Sequence, residues 1–167
     1  MAKLISTRRL TFATMMGTLS LAMQAFVPGI PLGWGGKIEL ADIPAILGAV
    51  FTGPVGGTIN GFLYGIISPV YLALVPTSVC SLALLGYLSE SLKIRGNAIL
   101  AIVIARVIFD PILASFLFKW IYYGSTAPLL AIWIISLWYD VPSAIISIPL
   151  YIFMEKKVPW IALFIKQ

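Results

Sequence analysis

Four side chains in this sequence carry charge or amide chemistry inside apolar stretches: Asn60, Arg106, Asp110 and Asp140. Gln24 sits near the end of the first apolar run. A charge at a bilayer centre costs about 2.5–3.5 kcal/mol on insertion scales, so each charge needs a partner or a watery cavity. Arg106 and Asp110 are spaced i,i+4, on one helix face and within pairing reach. Two readings follow. In the first, the pair neutralises itself, with Asp140 from another helix, and acts as a structural lock. In the second, these groups form the polar floor of an outward-facing pocket. Trp133, Ser136 and Asp140 share one helical face at i, i+3 and i+7, and Asn60 and Tyr64 share another. Aromatic walls over a few polar contacts suit a flat heterocyclic small molecule. Trp120, Tyr122 and Tyr123 lie further toward the outside, where an interfacial aromatic belt accounts for them without a ligand.

Catalysis is poorly provided for. The chain has no histidine, which removes Ser-His and Cys-His nucleophile pairs, His-bearing metal sites and the usual proton shuttle. No Gly-x-x-x-x-Gly-Lys-Ser/Thr loop is present, so ATP is not hydrolysed through that device. Binding or transport is favoured over an enzyme, with no metal and no cofactor expected. The single cysteine, Cys80, excludes an intrachain disulfide.

The elements that must position these groups are membrane helices. Hydrophobic residues make up 60% of the 167, charged ones 10%, and mean hydropathy is +1.04. At about 20 residues per span, six helices fill the chain and leave no room for a soluble catalytic domain. The expected class is an all-α integral membrane protein, one domain over residues 1–167. Its helices are read at about 10–26, 40–52, 55–75, 76–91, 97–120 and 128–153. Lys3, Arg8 and Arg9 before the first run resemble a signal peptide, but its length and the lack of a clear cleavage site favour a retained helix. Six spans with a cytoplasmic N-terminus place Lys3, Arg8, Arg9, Lys93, Arg95, Lys156, Lys157 and Lys166 inside, against Lys37 and Lys119 outside. Both termini are then cytoplasmic. The dispersed cations orient the chain and do not form a nucleic-acid-binding face.

Local signals refine the layout. Glu39, Asp42 and Pro44 open one helix, and Gly53-Pro54-Val55-Gly56-Gly57 marks a tight turn with immediate return: a hairpin in lipid. Asp42-Ile43-Pro44, Asp110-Pro111 and Asp140-Val141-Pro142 form a loose echo, each with a carboxylate just before a proline. Pro111 and Pro142 are expected to kink their helices. In the first helix, Ala13 and Gly17 make a small-xxx-small face suited to close approach, within the bundle or to a partner.

Taken together, the chain resembles the substrate-binding S-components of energy-coupling factor (ECF) vitamin transporters. The likeness rests on Arg8-Arg9, Ala13-x-x-x-Gly17, Glu39-Leu40-Ala41-Asp42-Ile43-Pro44-Ala45-Ile46-Leu47-Gly48, Phe51-Thr52-Gly53-Pro54-Val55-Gly56-Gly57 and Asn60-Gly61-Phe62. It covers most of the chain, and the Asp-Ile-Pro to Gly-Pro-x-x-Gly block is its most specific part. It implies a subunit that captures a vitamin or precursor from outside, in a pocket between helices four to six. A membrane coupling protein (T-component) and a cytoplasmic ATPase pair would drive release inward. The family's Ala-x-x-x-Ala docking pattern carries over to Ala13 and Gly17, where glycine replaces the second alanine. The Asp-Ile-Pro block points to the riboflavin and related branches, although Asn60 stands where a charged residue is expected. Riboflavin is the first guess for the ligand. The alternatives are a membrane scaffold whose polar residues only lock the bundle, or a small intramembrane enzyme using the carboxylates.

Overall fold

The computed structural model describes residues 6–27, 29–31, 37–68, 71–91, 97–124 and 128–158. Among them five helices carry the fold: α1 (Thr7–Phe26), α2 (Asp42–Gly65), α3 (Tyr71–Ser91), α4 (residues 97–123) and α5 (Leu129–Lys157). A two-stranded antiparallel ribbon, β1 (Ile30–Pro31) with β2 (Lys37–Ile38), follows α1. Four helices, α2 to α5, are long and apolar enough to cross a membrane. This fits a membrane-embedded protein. Helix α1 forms as expected, with Ser6 capping it by accepting the Arg9 N–H at 3.4 Å. Arg8, Arg9 and Gln24, with four threonines, leave it outside the set of apolar spans.

The six expected helices become five because residues 40–52 and 55–75 contribute to one element, α2. That element is broken at Gly53, whose φ of 79° and ψ of −167° leave helical geometry. The chain folds back there. The Asn60 amide occupies the space that a side chain on Gly48 would need, and the Tyr64 hydroxyl donates to the Glu39 carboxylate. In a straight helix, residues 48 and 60 would lie about 18 Å apart. Gly53 permits the turn because φ in this region is costly for any residue bearing a Cβ.

The two arms of α2, residues 42–52 and 54–65, form the centre of the bundle. On one side lies α1: Phe12 meets Phe51 edge-on at 5.9 Å, Ala13 packs near Gly56, and Gly17 against Leu63 and Asn60. The Ser20 hydroxyl donates to the Ala41 carbonyl at 2.6 Å. Against the second arm lies α3, so close that a β-carbon on Gly57 would fall 2.0 Å from the Leu82 carbonyl oxygen. One on Gly61 would fall 2.5 Å from that of Ser78. The Gly57-x-x-x-Gly61 face allows this backbone approach, the interhelical device of membrane bundles. Helix α3 begins at Tyr71, so Pro76, expected at a helix start, lies inside it.

Helix α4 runs as α-helix over Asn97–Ile102, π-helix over Val103–Phe109, α-helix over Asp110–Phe118 and π-helix over Lys119–Tyr123. The first π stretch ends where Asp110 donates its N–H to Ala105, one residue before Pro111. Proline supplies no N–H and crowds the carbonyl four residues back, so the helical register loosens there. Helix α5 continues through Pro142 and Pro149 as one helix.

One end of the bundle gathers the Arg9–Glu90 ion pair, the Gly53 turn and Tyr151, which packs on Phe51 at 5.5 Å. Arg8 at the start of α1 and Lys156-Lys157 at the end of α5 belong to this end. Lys3, Lys93, Arg95 and Lys166 of the charge count lie outside the described residues.

Candidate functional site

Arg106 is the centre of the site. It projects from the π stretch of α4 and is 1% exposed. Nη1 donates to Asp110 Oδ2 at 2.8 Å and to Ser81 Oγ at 3.2 Å. Nη2 donates to Asp42 Oδ2 at 2.6 Å and to Asp140 Oδ1 at 2.9 Å. One guanidinium therefore joins α2, α3 and α5 to its own helix. Its planar fork suits several carboxylates at once, which a lysine ammonium cannot match. Ser143 Oγ adds a second donor to Asp42 Oδ2, at 2.6 Å. Asp42, Asp110 and Asp140 are all buried. Asp42 Oδ1, Asp110 Oδ1 and Arg106 Nε have no hydrogen-bond partner among the described residues.

Beside this cluster is a cavity of about 330 Å³. Arg106, Asp110 and Asp140 form its polar wall, with Glu39 and Tyr64. Phe118, Ile132, Ile135 and Tyr139 supply the apolar and aromatic side. The lining also includes Gln24 at the end of α1 and Ser68 after α2, so the cavity lies on the side of the cluster away from the Gly53 turn. A neighbouring cavity of about 260 Å³ shares Gln24 and Glu39.

The residues singled out from the sequence divide into three groups. Tyr64, Arg106, Asp110, Ser136 and Asp140 converge on the cavity. The Ser136 hydroxyl is bonded back to the Ile132 carbonyl at 3.1 Å. Asn60 does not line the cavity: it is fully buried between the arms of α2 and donates to the Gly56 carbonyl at 2.7 Å. Trp133 is not among the lining residues either, and its indole N–H is buried without a partner among the described residues. On α5 the lining strip runs through Ile132, Ile135, Ser136, Tyr139 and Asp140. Trp133 sits off that strip.

Ala13 and Gly17 require a correction. Expected to offer a docking surface, they are buried and face inward, because Gly56, Asn60 and Leu63 take up the close approach that small residues permit.

Sequence reasoning missed Asp42, Glu39 and Tyr139 as parts of the site. Asp42 had a signal: the three carboxylates of the aspartate–proline echo are the three that meet Arg106. Comparison of the chain with protein-family models, curated proteins and solved structures finds no match.

Proposed function

We propose that this chain is the substrate-capture subunit of an ATP-driven importer of the ECF type, binding a vitamin-like small molecule from outside the cell. The observation that supports this reading best is the cavity of about 330 Å³ beside a buried ionic cluster. A lock that only joined helices would need the ion pairs but not the space beside them. Small-molecule sites have this character: mostly apolar walls with a few fixed polar groups.

The proposed orientation follows from charge. Arg8, Arg9, Lys156 and Lys157 belong to one end of the bundle, and the cavity lies toward the other. With the basic end cytoplasmic, the cavity faces outward. Counting the arms of α2 separately gives six helical passes and two cytoplasmic termini. Each arm measures about 16–18 Å, so the membrane is thinned around α2 or the arms are sheltered by their neighbours. A membrane coupling protein and a cytoplasmic ATPase pair complete the proposed importer, docking on a surface other than the inward-facing Ala13 and Gly17.

Mass spectrometry of material released from gently purified protein tests the proposal. A small heterocyclic compound at one per chain is expected. Lipid alone, across several detergents, would support the scaffold reading instead.

A further inference from the structure

We propose that the basic end of the bundle binds an anionic phospholipid, its phosphate on Lys156 and Lys157 and its acyl chains along the adjoining face of α5. The chain holds six carboxylate side chains, and each is engaged elsewhere. Asp42, Asp110 and Asp140 gather on Arg106, and Glu39 accepts the Tyr64 hydroxyl beside the cavity. At the basic end Glu90 pairs with Arg9, and Glu155 accepts the Tyr151 hydroxyl. Arg8, Lys156 and Lys157 are exposed and have no ion-pair partner among the described residues. No further acidic side chain exists in the sequence to place beside them. Their counter-charge comes from outside the chain.

Dissolved anions could neutralise these cations equally well, so the surface next to them decides what kind of anion fits. Leu150, Phe153 and Lys157 fall at i, i+3 and i+7 on α5, which is one helical face. Leu150 is 39% exposed and Phe153 58%. Lys157 therefore stands one turn beyond an outward apolar strip, with Lys156 beside it. Helix α1 repeats the order: exposed Met15 and Leu19 share the face of Arg8, at i+7 and i+11. A phosphate joined to hydrocarbon meets both surfaces at once, cation and strip. Lysine suits this place, since its stem lies along apolar surface while the ammonium reaches a headgroup. Free phosphate or an acidic protein surface would use the cations and leave the strip uncovered. Loss of the capture reading would leave this surface unchanged.

The test uses full-length protein in neutral detergent, titrated with phosphatidylglycerol or with phosphatidylcholine of the same acyl chains. Native mass spectrometry counts the lipid retained, and the thermal unfolding midpoint reports binding. Phosphatidylglycerol is expected to be retained and to raise the midpoint, with both effects weakening as salt is added. Phosphatidylcholine is expected to bind at least about fivefold more weakly. The double variant Lys156→Gln, Lys157→Gln should weaken phosphatidylglycerol by at least about fivefold, whereas arginine at both positions should retain it. Lys119→Gln, toward the other end of the bundle, should leave the affinity unchanged. Both basic-end lysines are exposed, and the lipid-free midpoint of the double variant checks that its fold is kept. If it is not, Lys157→Gln alone carries the comparison. Equal affinity for the two lipids overturns the inference, as does unchanged phosphatidylglycerol affinity in the glutamine variant that folds. An equal midpoint shift from glycerol 3-phosphate would assign the cations to a free phosphate and overturn the lipid occupant. Displacement of the lipid by polyglutamate at matched charge would overturn it in favour of an acidic protein partner.

Discussion

Arg106 makes four hydrogen bonds, three of them to carboxylates separated from it in sequence by 4, 34 and 64 residues. Removing one member of such a buried set leaves uncompensated charge, which costs about 3–5 kcal/mol. Arg106→Met is therefore expected to lower thermal stability severely. Arg106→Lys keeps the charge but loses the fork and should recover only part of the loss. Detergent-solubilised melting curves of the two variants against the parent check the order. Among the carboxylates, Asp42 Oδ2 accepts from both Arg106 and Ser143. Hydrogen bonds to charged groups contribute about 1.5–3 kcal/mol. Asp42→Asn should be destabilising within that range, and Ser143→Ala should cost less because Asp42 keeps its guanidinium. A melting temperature for Ser143→Ala below that of Asp42→Asn would reverse this ranking.

At the scale of elements, the fold depends on the return of α2 at Gly53 and on its glycine contact with α3. Gly53 and Gly124 both hold positive φ, at 79° and 70°. A Cβ at Gly124 would meet nothing within 4 Å, whereas one at Gly53 would fall 2.5 Å from the Glu90 carboxylate. Gly124→Ala therefore measures the conformational cost alone, about 1–2 kcal/mol. Gly53→Ala should exceed it, because Glu90 must also move from its pairing with Arg9. Equal losses in denaturation would show that the carboxylate yields freely. Gly61→Leu is the harsher change, since Ser78 backbone occupies the space and backbone cannot rotate away. For α1, Gly17→Trp meets Leu63 and Asn60 inside the bundle. Stability and ligand binding should fall together. Retained binding with lost uptake would restore this face as an outward docking surface.

At the scale of the molecule, two ends of unlike chemistry make orientation testable. In a Cys80→Ser background, a cysteine at Gly124, after α4, should react with an impermeant thiol reagent in intact cells. One at Lys156, at the end of α5, should react only after the membrane is opened. The reverse pattern would invert the protein and turn its cavity inward. Cys80 itself is exposed on α3, so its removal leaves the core untouched.

The amino-acid sequence by itself determined what local geometry can express. Composition specified an apolar helical protein, and the Gly53-Pro54 pair marked the turn of α2, because positive φ is a property of one residue. The i,i+4 spacing placed Asp110 beside Arg106, since helical rise and rotation fix that distance without help from the rest of the chain. Only the tertiary structure decided which distant groups joined them. Asp42 reaches Arg106 across 64 residues and Asp140 across 34 because helices α2 and α5 pack around α4. The same packing turned Ala13 and Gly17 inward, placed Asn60 between the arms of α2, and left Trp133 off the cavity strip. Small and amide residues suit either a helix contact or a site. Which role each takes depends on the neighbour that packing brings to its face, and spacing along one helix does not encode that neighbour.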